Sequence, residues 1–219
     1  MTDRPKSAPE MASPETPIVF VIDDDESMCR GLTNLFESVG LRVETFRSTP
    51  ELLQRSLPDV PSCLVLDIRL PGMSGLDFQV LLEKAAIHIP IVFMTGHGDI
   101  SMSVRAMKAG AADFLAKPFR QQEMLDAVTA AIERDRKRRK DARIVSSLQA
   151  RFETLTTRER EILASVSAGL LNKQIAAELG IAEITVKQHR GRVMKKMGTR
   201  SLAELLRAAQ TLGVHRAKP

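Results

Sequence analysis

The sequence predicts an α/β domain with a doubly wound, parallel five-stranded sheet, followed by an all-α domain. From Ile18 to about residue 131, short apolar runs alternate with helical patterns, which is typical of a parallel sheet with crossover helices. From Thr154 onward every pattern is helical. Residues 1–130 hold 12 basic and 18 acidic side chains, whereas residues 131–219 hold 20 and 9. An acidic half joined to a basic half favours a regulatory domain carrying a nucleic-acid binder, although a membrane surface or solubility alone would also suit the basic charge.

The boundaries within the first domain follow from its apolar runs and its capping residues. Ser48-Thr49-Pro50-Glu51 has the form of a capping box, and Gly40 and Gly110 stand where helices should end. Strands are expected near residues 18–22, 42–46, 63–67, 90–95 and 112–116, and helices near 26–39, 49–55, 74–86, 100–109 and 119–133. Five strand–helix units in about 115 residues are typical of a flavodoxin-like domain.

The second domain contains a helix-turn-helix pattern. A short helix over 173–179, a turn at Gly180 and a basic helix over about 183–196 form this pattern. Further helices are expected before and after it, the last of them ending near Gln210. The residues expected to cap helices in this domain are Thr156 of the capping box Thr156-Thr157-Arg158-Glu159, Gly169, Asn172, Gly198 and Ser201.

We divide the chain into a disordered N-terminal tail (1–17), an α/β domain (18–133), a basic linker (134–153), the helix-turn-helix domain (154–213) and a C-terminal tail (214–219). The linker is interpreted as a solvated extension of the preceding helix, with an auxiliary phosphate contact on DNA as the alternative. The N-terminal tail is rich in Pro, Ser and Thr and lacks the apolar core of a signal peptide. Because the chain has two cysteines and no run near the roughly 18 apolar residues of a membrane span, we expect a soluble, cytoplasmic protein.

Functional side chains stand at the ends of four predicted strands. Asp23 and Asp24 follow the first strand, Asp67 ends the third, Thr95 ends the fourth, and Lys117 follows the fifth. Open α/β sheets hold their ligands at the carboxyl ends of the strands. Asp67 can attack a phosphoryl donor, and the acidic side chains suit Mg²⁺, which prefers oxygen ligands. Lys117 can balance phosphate charge, and Thr95 can donate a hydrogen bond to a phosphoryl oxygen.

Four motifs, in this order, resemble those of the receiver domain of bacterial response regulators. They are Asp23-Asp24, Asp67-x-x-x-Pro71-x-x-x-Gly75, Thr95-Gly96-His97-Gly98-Asp99 and Lys117-Pro118-Phe119. The resemblance covers about residues 18–132. It implies that Asp67 is the phosphoacceptor, that Asp24 is a direct Mg²⁺ ligand and that Asp23 is a water-mediated one.

The same resemblance implies roles for three further groups. The backbone carbonyl of Arg69 would complete the Mg²⁺ ligands, Phe114 would rotate when Thr95 moves, and the Lys117–Pro118 bond would be cis. Arg69 also occupies the position at which a phosphatase of the haloacid-dehalogenase type needs a second Asp, so we do not expect a dedicated enzyme. The alternative interpretation of the acidic run at Asp23 to Glu26 is that it caps the first helix.

Three segments of the second domain resemble the LuxR-type helix-turn-helix, namely Leu155 to Leu163, Asn172 to Ala176 and Thr185 to Arg190. With the receiver-like domain in front, the chain from about 18 to 212 is similar to response regulators of the FixJ/NarL class. FixJ-like members resemble it most, because of the loop that begins at Thr95. The resemblance implies that the helix near 183–196 enters the major groove of double-stranded DNA.

Helical spacing separates the two faces of this helix. Val186, Val193 and Met197 recur at intervals of seven and four and should pack inward. Lys187, Gln188, Gly191 and Lys195 share another face, on which Lys187 is expected to read guanine and Gln188 adenine. The expected phosphate contacts are Lys173, Arg190, Arg192, Lys195 and Lys196. Glycine inside a helix costs about 1 kcal/mol relative to alanine, so Gly191 indicates either a close approach to DNA or a merely tolerated residue.

The combined expectation is a response regulator of a two-component system, phosphorylated on Asp67 by a partner histidine kinase. Phosphorylation would favour a homodimer around Val104 and Lys108 and increase binding to promoter DNA, with RNA polymerase as a further partner and no role for a membrane. Two alternatives stay open. One is a regulator that binds DNA without phosphorylation, and the other is a phosphate sink whose basic tail binds no specific site.

Overall fold

The computed structural model describes residues 16–96 and 100–214. The predictions for most of the N-terminal tail, for His97 and its two following residues, and for all but the first residue of the C-terminal tail lie outside these described residues. The chain divides into two compact units between Arg139 and Lys140. Within the described part, no helix combines the length and the apolar character needed to cross a membrane.

The first unit confirms the predicted α/β class. Five parallel strands lie in the order β2-β1-β3-β4-β5, with β1 and β3 as neighbours, so the winding of the chain reverses direction between them. The strands are β1 (Ile18–Ile22), β2 (Arg42–Phe46), β3 (Ser62–Asp67), β4 (Ile91–Thr95) and β5 (Asp113–Ala116). The helices are α1 (Glu26–Ser38), α2 (Thr49–Leu53), α3 (Gly75–Lys84), α4 (Ile100–Lys108) and α5 (Gln121–Glu153).

The sheet separates two hydrophobic cores. Because successive side chains of a strand point to opposite faces, Phe20 of β1 enters one core and Val19 and Val21 enter the other. Helices α2, α3 and α4 complete the Phe20 side, and α1 and α5 complete the other side. With helices on both faces, the carboxyl edge of the sheet is where polar side chains can gather.

Helix α5 continues without a break through the segment interpreted as the basic linker. It runs for 33 residues and ends at Glu153, which is 20 residues beyond the expected end near residue 133. The linker is therefore helical. Asp135, a fully buried acid on this helix, accepts hydrogen bonds from the Ser62 N–H and from the Arg138 and Arg139 side chains. Arg139 also pairs with Asp59. These bonds fix α5 to the start of β3.

The second unit is helical, as predicted. Its helices are the end of α5, then α6 (Thr157–Ser167), α7 (Asn172–Leu179), α8 (Glu183–Met197) and α9 (Leu202–Thr211). Val186, Val193 and Met197 are buried in its core, which confirms the inward face of α8. Leu148 and Phe152 of α5 pack against the same core. The last two turns of α5 therefore contribute to the folding of this unit.

Two of the four predicted side-chain caps are confirmed, and so are the predicted glycine positions. Thr156 and Glu159 form the reciprocal capping box at the start of α6. Ser201 accepts a hydrogen bond from the Glu204 N–H and caps α9. Gly40, Gly110, Gly169, Gly180 and Gly198 all have positive φ at the ends of helices, as expected.

Two other predicted caps are wrong. The Ser48 hydroxyl does not cap α2 but bonds to the Glu51 carboxylate, which also accepts the N–H of Arg47. Helix α7 already includes Asn172, and the residue before it, Leu171, donates its N–H to the Gln174 side chain. The Asn172 side-chain oxygen accepts a hydrogen bond from Arg190 instead. In both cases the side-chain oxygen expected to cap the helix forms a hydrogen bond with another side chain instead.

Candidate functional site

Three carboxylates converge at the carboxyl ends of the two central strands. Strands β1 and β3 run side by side, with Ile22 paired to Leu66, so the residues that follow them meet. One carboxylate oxygen from each of Asp23, Asp24 and Asp67 lies within 4.8 Å of the other two. Asp23 is only 1% exposed, whereas Asp24 is exposed to solvent. The cluster therefore opens to solvent on the Asp24 side.

Lys117 brings a positive charge to this cluster. Its Nζ donates hydrogen bonds to Asp23 Oδ2 at 2.7 Å and to Asp67 Oδ2 at 2.8 Å. Burial acts to lower the pKa of Lys117, but the hydrogen bonds to the two acids outweigh it, so the pKa is raised. The ammonium therefore stays charged and offsets part of the negative charge in the cluster.

Asp23 has a raised pKa because burial penalises its charged form more than the hydrogen bond from Lys117 and the N–H of Asp25 favour it. The remaining oxygens of the two buried acids are held by backbone groups. The Asp25 N–H donates to Asp23 Oδ1 at 2.9 Å, and the Arg69 N–H donates to Asp67 Oδ1 at 3.0 Å. Both carboxylates are thus held in one orientation. The expectation that the backbone carbonyl of Arg69 binds Mg²⁺ stays a prediction.

This donor set fits a Mg²⁺ ion. Mg²⁺ prefers carboxylate oxygens and keeps several water ligands, so a cluster of three acids that is open on one side suits it. Asp23, Asp24 and Asp67 would hold the ion. Two buried or nearly buried carboxylates with a single ammonium between them also leave excess negative charge, which a divalent cation offsets.

Gly75 lies unusually close to the end of β3. A Cβ atom at this position would be 2.6 Å from the carbonyl oxygen of Asp67 and 3.1 Å from the Cα of Ile68. The Gly75 N–H donates to the Ile68 carbonyl at 2.9 Å. Glycine is therefore required for α3 to begin against the backbone of Asp67. The sequence showed Gly75 only as a member of a motif, and its spacing from Pro71 gave no reason for a glycine.

Thr95 and Phe114 lie on the next two strands. Thr95 is fully buried at the end of β4, and its carbonyl accepts the Lys117 N–H at 2.7 Å. Phe114 on β5 is half-buried and packs against the core on the Phe20 side. The Lys117–Pro118 bond is cis, as expected. On α4, Val104 is exposed and Lys108 is also exposed, so the surface expected to support dimerisation is accessible within this unit.

In the second unit, the outward face of α8 is exposed and mainly polar. Lys187, Gln188, Gly191 and Lys195 all lie on it, as predicted. A Cβ atom added at Gly191 would meet no atom within 4 Å, so no contact in the described residues explains the glycine. The space outside Gly191 is open, and a close approach to DNA and a merely tolerated residue both stay predictions.

Two of the expected phosphate contacts have partners inside the protein. Arg190 donates to Asn172 Oδ1 at 2.5 Å, which joins α8 to the start of α7. Lys196 donates to the buried Glu159 at 2.6 Å and to the Thr154 carbonyl at 3.0 Å. The hydrogen bond from Lys196 is the largest cause of a lowered pKa at Glu159. Lys173 and Arg192 are exposed, so they present their charge outward.

Arg151 is a positioning residue that the sequence did not indicate. From the last turn of α5 it donates to the Met197 carbonyl at 3.0 Å, and its guanidinium lies against Gly198. This contact fixes the carboxyl end of α8. Its two partners are separated by 46 residues, and no local pattern in the sequence could have indicated the pairing.

Comparisons with known proteins agree with this geometry. Residues 19–129 match the family of response regulator receiver domains, and residues 153–209 match the luxR family of bacterial regulatory proteins. Nodulation protein W of Bradyrhizobium diazoefficiens is 64% identical over 197 residues, covering 90% of this chain and 87% of that protein. The Transcriptional regulatory protein FixJ of Azorhizobium caulinodans is 43% identical, covering 92% and 95%.

Solved structures show the same similarity. Response regulator StyR aligns with a TM-score of 0.80 and 49% identity, covering 89% of this chain and 98% of that chain. Full-length FixJ from B. japonicum aligns with a TM-score of 0.53 and 35% identity, covering 91% and 98%. Both the α/β unit and the helical unit are thus matched in single chains of known structure. This chain therefore belongs to the FixJ-like response regulators, in which a receiver domain is followed by a LuxR-type DNA-binding domain.

Proposed function

We propose that a partner histidine kinase phosphorylates this response regulator on Asp67 and that phosphorylation increases its binding to promoter DNA. The observation that carries the proposal is the position of Lys117, whose ammonium bonds to both Asp23 and Asp67 next to the exposed Asp24. In the proposal, Asp67 is the nucleophile, the three acids bind the metal, and Lys117 is the cation for phosphate; their closeness in one small pocket supports these roles.

In the proposed reaction, a carboxylate oxygen of Asp67 attacks the phosphorus of a phosphohistidine on the kinase. The phosphorus–nitrogen bond breaks, the imidazole leaves, and an acyl phosphate forms on Asp67. Lys117 and the Arg69 N–H orient the carboxylate before attack, because each bonds to one of its oxygens. A Mg²⁺ ion bound by the three acids would offset the charge of the phosphoryl oxygens. The phosphoryl group serves as a signal, so we do not assign the chain as a dedicated enzyme.

The switch is proposed to pass through Thr95 and Phe114. Thr95 ends β4, the strand next to β3. Phe114 lies on β5, on the other side of β4, and pairs in register with Phe93 of β4. A hydrogen bond from Thr95 to the new phosphoryl group would draw the end of β4 inward and let Phe114 turn. The exposed Val104 and Lys108 of α4 would then form part of a homodimer interface.

The second unit is proposed to bind double-stranded promoter DNA through α8. Its outward face presents Lys187 and Gln188, which suit base edges in the major groove, and Lys173, Arg192 and Lys195, which suit phosphates. A homodimer would place two copies of α8 on paired half-sites. Relatives include proteins described as transcriptional regulators, so we also propose RNA polymerase as a partner and the cytoplasm, where promoter DNA lies, as the location.

The first experiment is intact-mass spectrometry after incubation with acetyl phosphate and Mg²⁺. Wild type should gain one phosphoryl group, roughly 80 Da, and Asp67→Asn should gain none. Asp77→Asn is the matched control, since Asp77 is an exposed acid on α3 outside the cluster. A folded wild type that gains no mass would favour a regulator that binds DNA without phosphorylation. Phosphorylation without specific DNA binding would favour a phosphate sink.

A further inference from the structure

A large aliphatic side chain is exposed on the outward face of α8, in the first turn of the helix. Ile184 is 62% exposed, and it neither belongs to the hydrophobic core of its unit nor packs against it. At 3.6 residues per turn, Ile184 lies about 160° around the helix from Val186, and Val193 and Met197 lie within about 20° of Val186. Ile184 therefore points away from the core, in the direction from which a partner would approach.

Ile184 shares this face with the residues expected to contact bases. Gln188, Gly191 and Lys195 follow it at intervals of four, seven and eleven residues, so all four lie along one line of the helix surface. Gly191 leaves open space in the middle of this line, which allows a partner surface to come close to the helix backbone. When a partner surface covers this line, the side chain of Ile184 at one end of it loses its contact with water.

The major groove offers one partner of matching chemistry. The edges of guanine, adenine and cytosine present hydrogen-bond donors and acceptors there, whereas thymine also presents a C5 methyl group. Phosphates are polar as well, so an aliphatic side chain gains nothing from them. We propose that Ile184 is a specificity residue that reads thymine by contact with this methyl group. The proposal rests on the DNA-binding function proposed above and assigns one base of its site.

The position of the thymine relative to its neighbours also follows. Ile184 and Gln188 are one turn apart, about 5.4 Å along the helix, whereas stacked base pairs are about 3.4 Å apart. The thymine read by Ile184 therefore lies one or two base pairs from the adenine expected to contact Gln188. A half-site should contain this thymine next to, or one step from, the position at which Gln188→Ala relaxes the sequence preference.

The test begins with the phosphorylated full-length protein and random double-stranded DNA, from which preferred sites are selected. Each thymine of one half-site is then replaced by deoxyuridine, which lacks only the methyl group. For wild type, one replacement should weaken binding roughly fourfold, the effect of removing one buried methyl-sized group. Ile184→Ser should show no loss on that replacement and should no longer prefer thymine there. Leu202→Ser, which removes an exposed aliphatic side chain from α9, should behave as wild type.

The outcomes separate the two proposals. If phosphorylated wild type selects no sequence, the DNA-binding function itself fails. If it selects a site but wild type and Ile184→Ser respond equally to every deoxyuridine, only the role of Ile184 is overturned, and its exposure would then suit a protein partner. Circular dichroism establishes that Ile184→Ser is folded. Ile184→Val, which removes one methylene group, should show a smaller deoxyuridine effect than wild type and covers the case in which the serine variant unfolds.

Discussion

At the scale of single residues, the receiver pocket holds two acids, Asp23 and Asp67, whose negative charges repel each other and are offset in part by Lys117. Asp23 and Asp67 lie against the same ammonium, and burial disfavours the charged form of Asp23. The charged form of Asp23 is therefore less stable in the folded domain than it would be in water. Pockets of this kind bind cations readily, because the ion removes a repulsion that the fold already contains.

Replacing Asp23 by Asn should stabilise the metal-free protein at neutral pH. The pKa of Asp23 is raised above its ordinary value of 3.8, so the stabilising effect of its proton is complete below pH 3.8 and is lost as the pH rises through the folded pKa. The asparagine carries no charge at any of these pH values. Thermal unfolding in the presence of a chelator should show the variant above wild type at pH 7, with the difference shrinking as the pH falls. A constant difference would contradict burial as the cause.

Replacing Gly75 by Ala should destabilise the receiver domain by about 1–3 kcal/mol, the usual effect of overpacking. The new Cβ would lie against the backbone of Asp67, so phosphorylation by acetyl phosphate should also slow. Gly31→Ala on α1 is the matched control, because its Cβ would meet nothing within 4 Å. That control should be neutral or stabilised by up to about 1 kcal/mol. Urea unfolding and the rate of mass gain measure the two effects, and equal behaviour of the variants would refute the contact.

At the scale of elements, α5 is defined by contacts with residues far away in the sequence. Asp135 accepts the Ser62 N–H from a residue 73 positions earlier, and Arg151 holds the end of α8. The helix is strongly basic between these points, which alone suggested a solvated linker. The first part of α5 is therefore a structural part of the receiver domain, and its last turns are a structural part of the helical unit.

Replacing Asp135 by Ala should lower the free energy of unfolding of the receiver domain by about 3–5 kcal/mol, because a buried charged network loses its central partner. Arg138, Arg139 and the Ser62 N–H would all lose this acceptor, and Arg139 would keep its pair with Asp59. Asp135→Asn, which keeps an acceptor oxygen, should lose less. Glu133→Ala breaks only an exposed pair with Arg136 and should change stability by no more than about 0.5 kcal/mol. Urea denaturation of the three variants decides the order, and equal losses would exclude a special role for Asp135.

The limits of sequence reasoning are clearest among these same residues. The pocket could be predicted because each functional group directly follows an apolar strand, and the order of the strands brings their ends together. The caps at Ser48 and Asn172 could not, since Glu51 and Arg190 compete for the capping oxygens. Lys196 looked like a phosphate contact, yet its partner Glu159 is 37 residues away. Pairings of this kind depend on the packed structure.

At the scale of the whole molecule, the chain joins an acidic receiver to a basic DNA-binding unit. A coupling free energy of about 1–3 kcal/mol between phosphorylation and DNA binding corresponds to a change in affinity of roughly 5–150-fold. The basic unit alone would bind any DNA to some extent, and this background falls as salt rises. The proposed effect of phosphorylation on DNA affinity therefore has to be measured against non-specific binding at a stated salt concentration.

We expect acetyl phosphate to increase the affinity of wild type for its selected site within that 5–150-fold range. Asp67→Asn should show no increase, because it cannot accept the phosphoryl group. Fluorescence anisotropy at fixed salt, with an unrelated duplex as control, measures both. An equal gain on the unrelated duplex, or a gain in Asp67→Asn, would rule out this coupling.

The open space at Gly191 has a consequence for how such regulators diverge. Most positions of a DNA-reading helix are constrained twice, by the protein core behind them and by the bases in front. At Gly191 a side chain would meet nothing within the described protein, and the helix itself would gain from losing a glycine. Under the proposed binding mode of α8, substitutions there would leave folding intact and change the choice of DNA. If that binding mode holds, a single codon at this position would give one copy, after a gene duplication, a direct route to new target promoters.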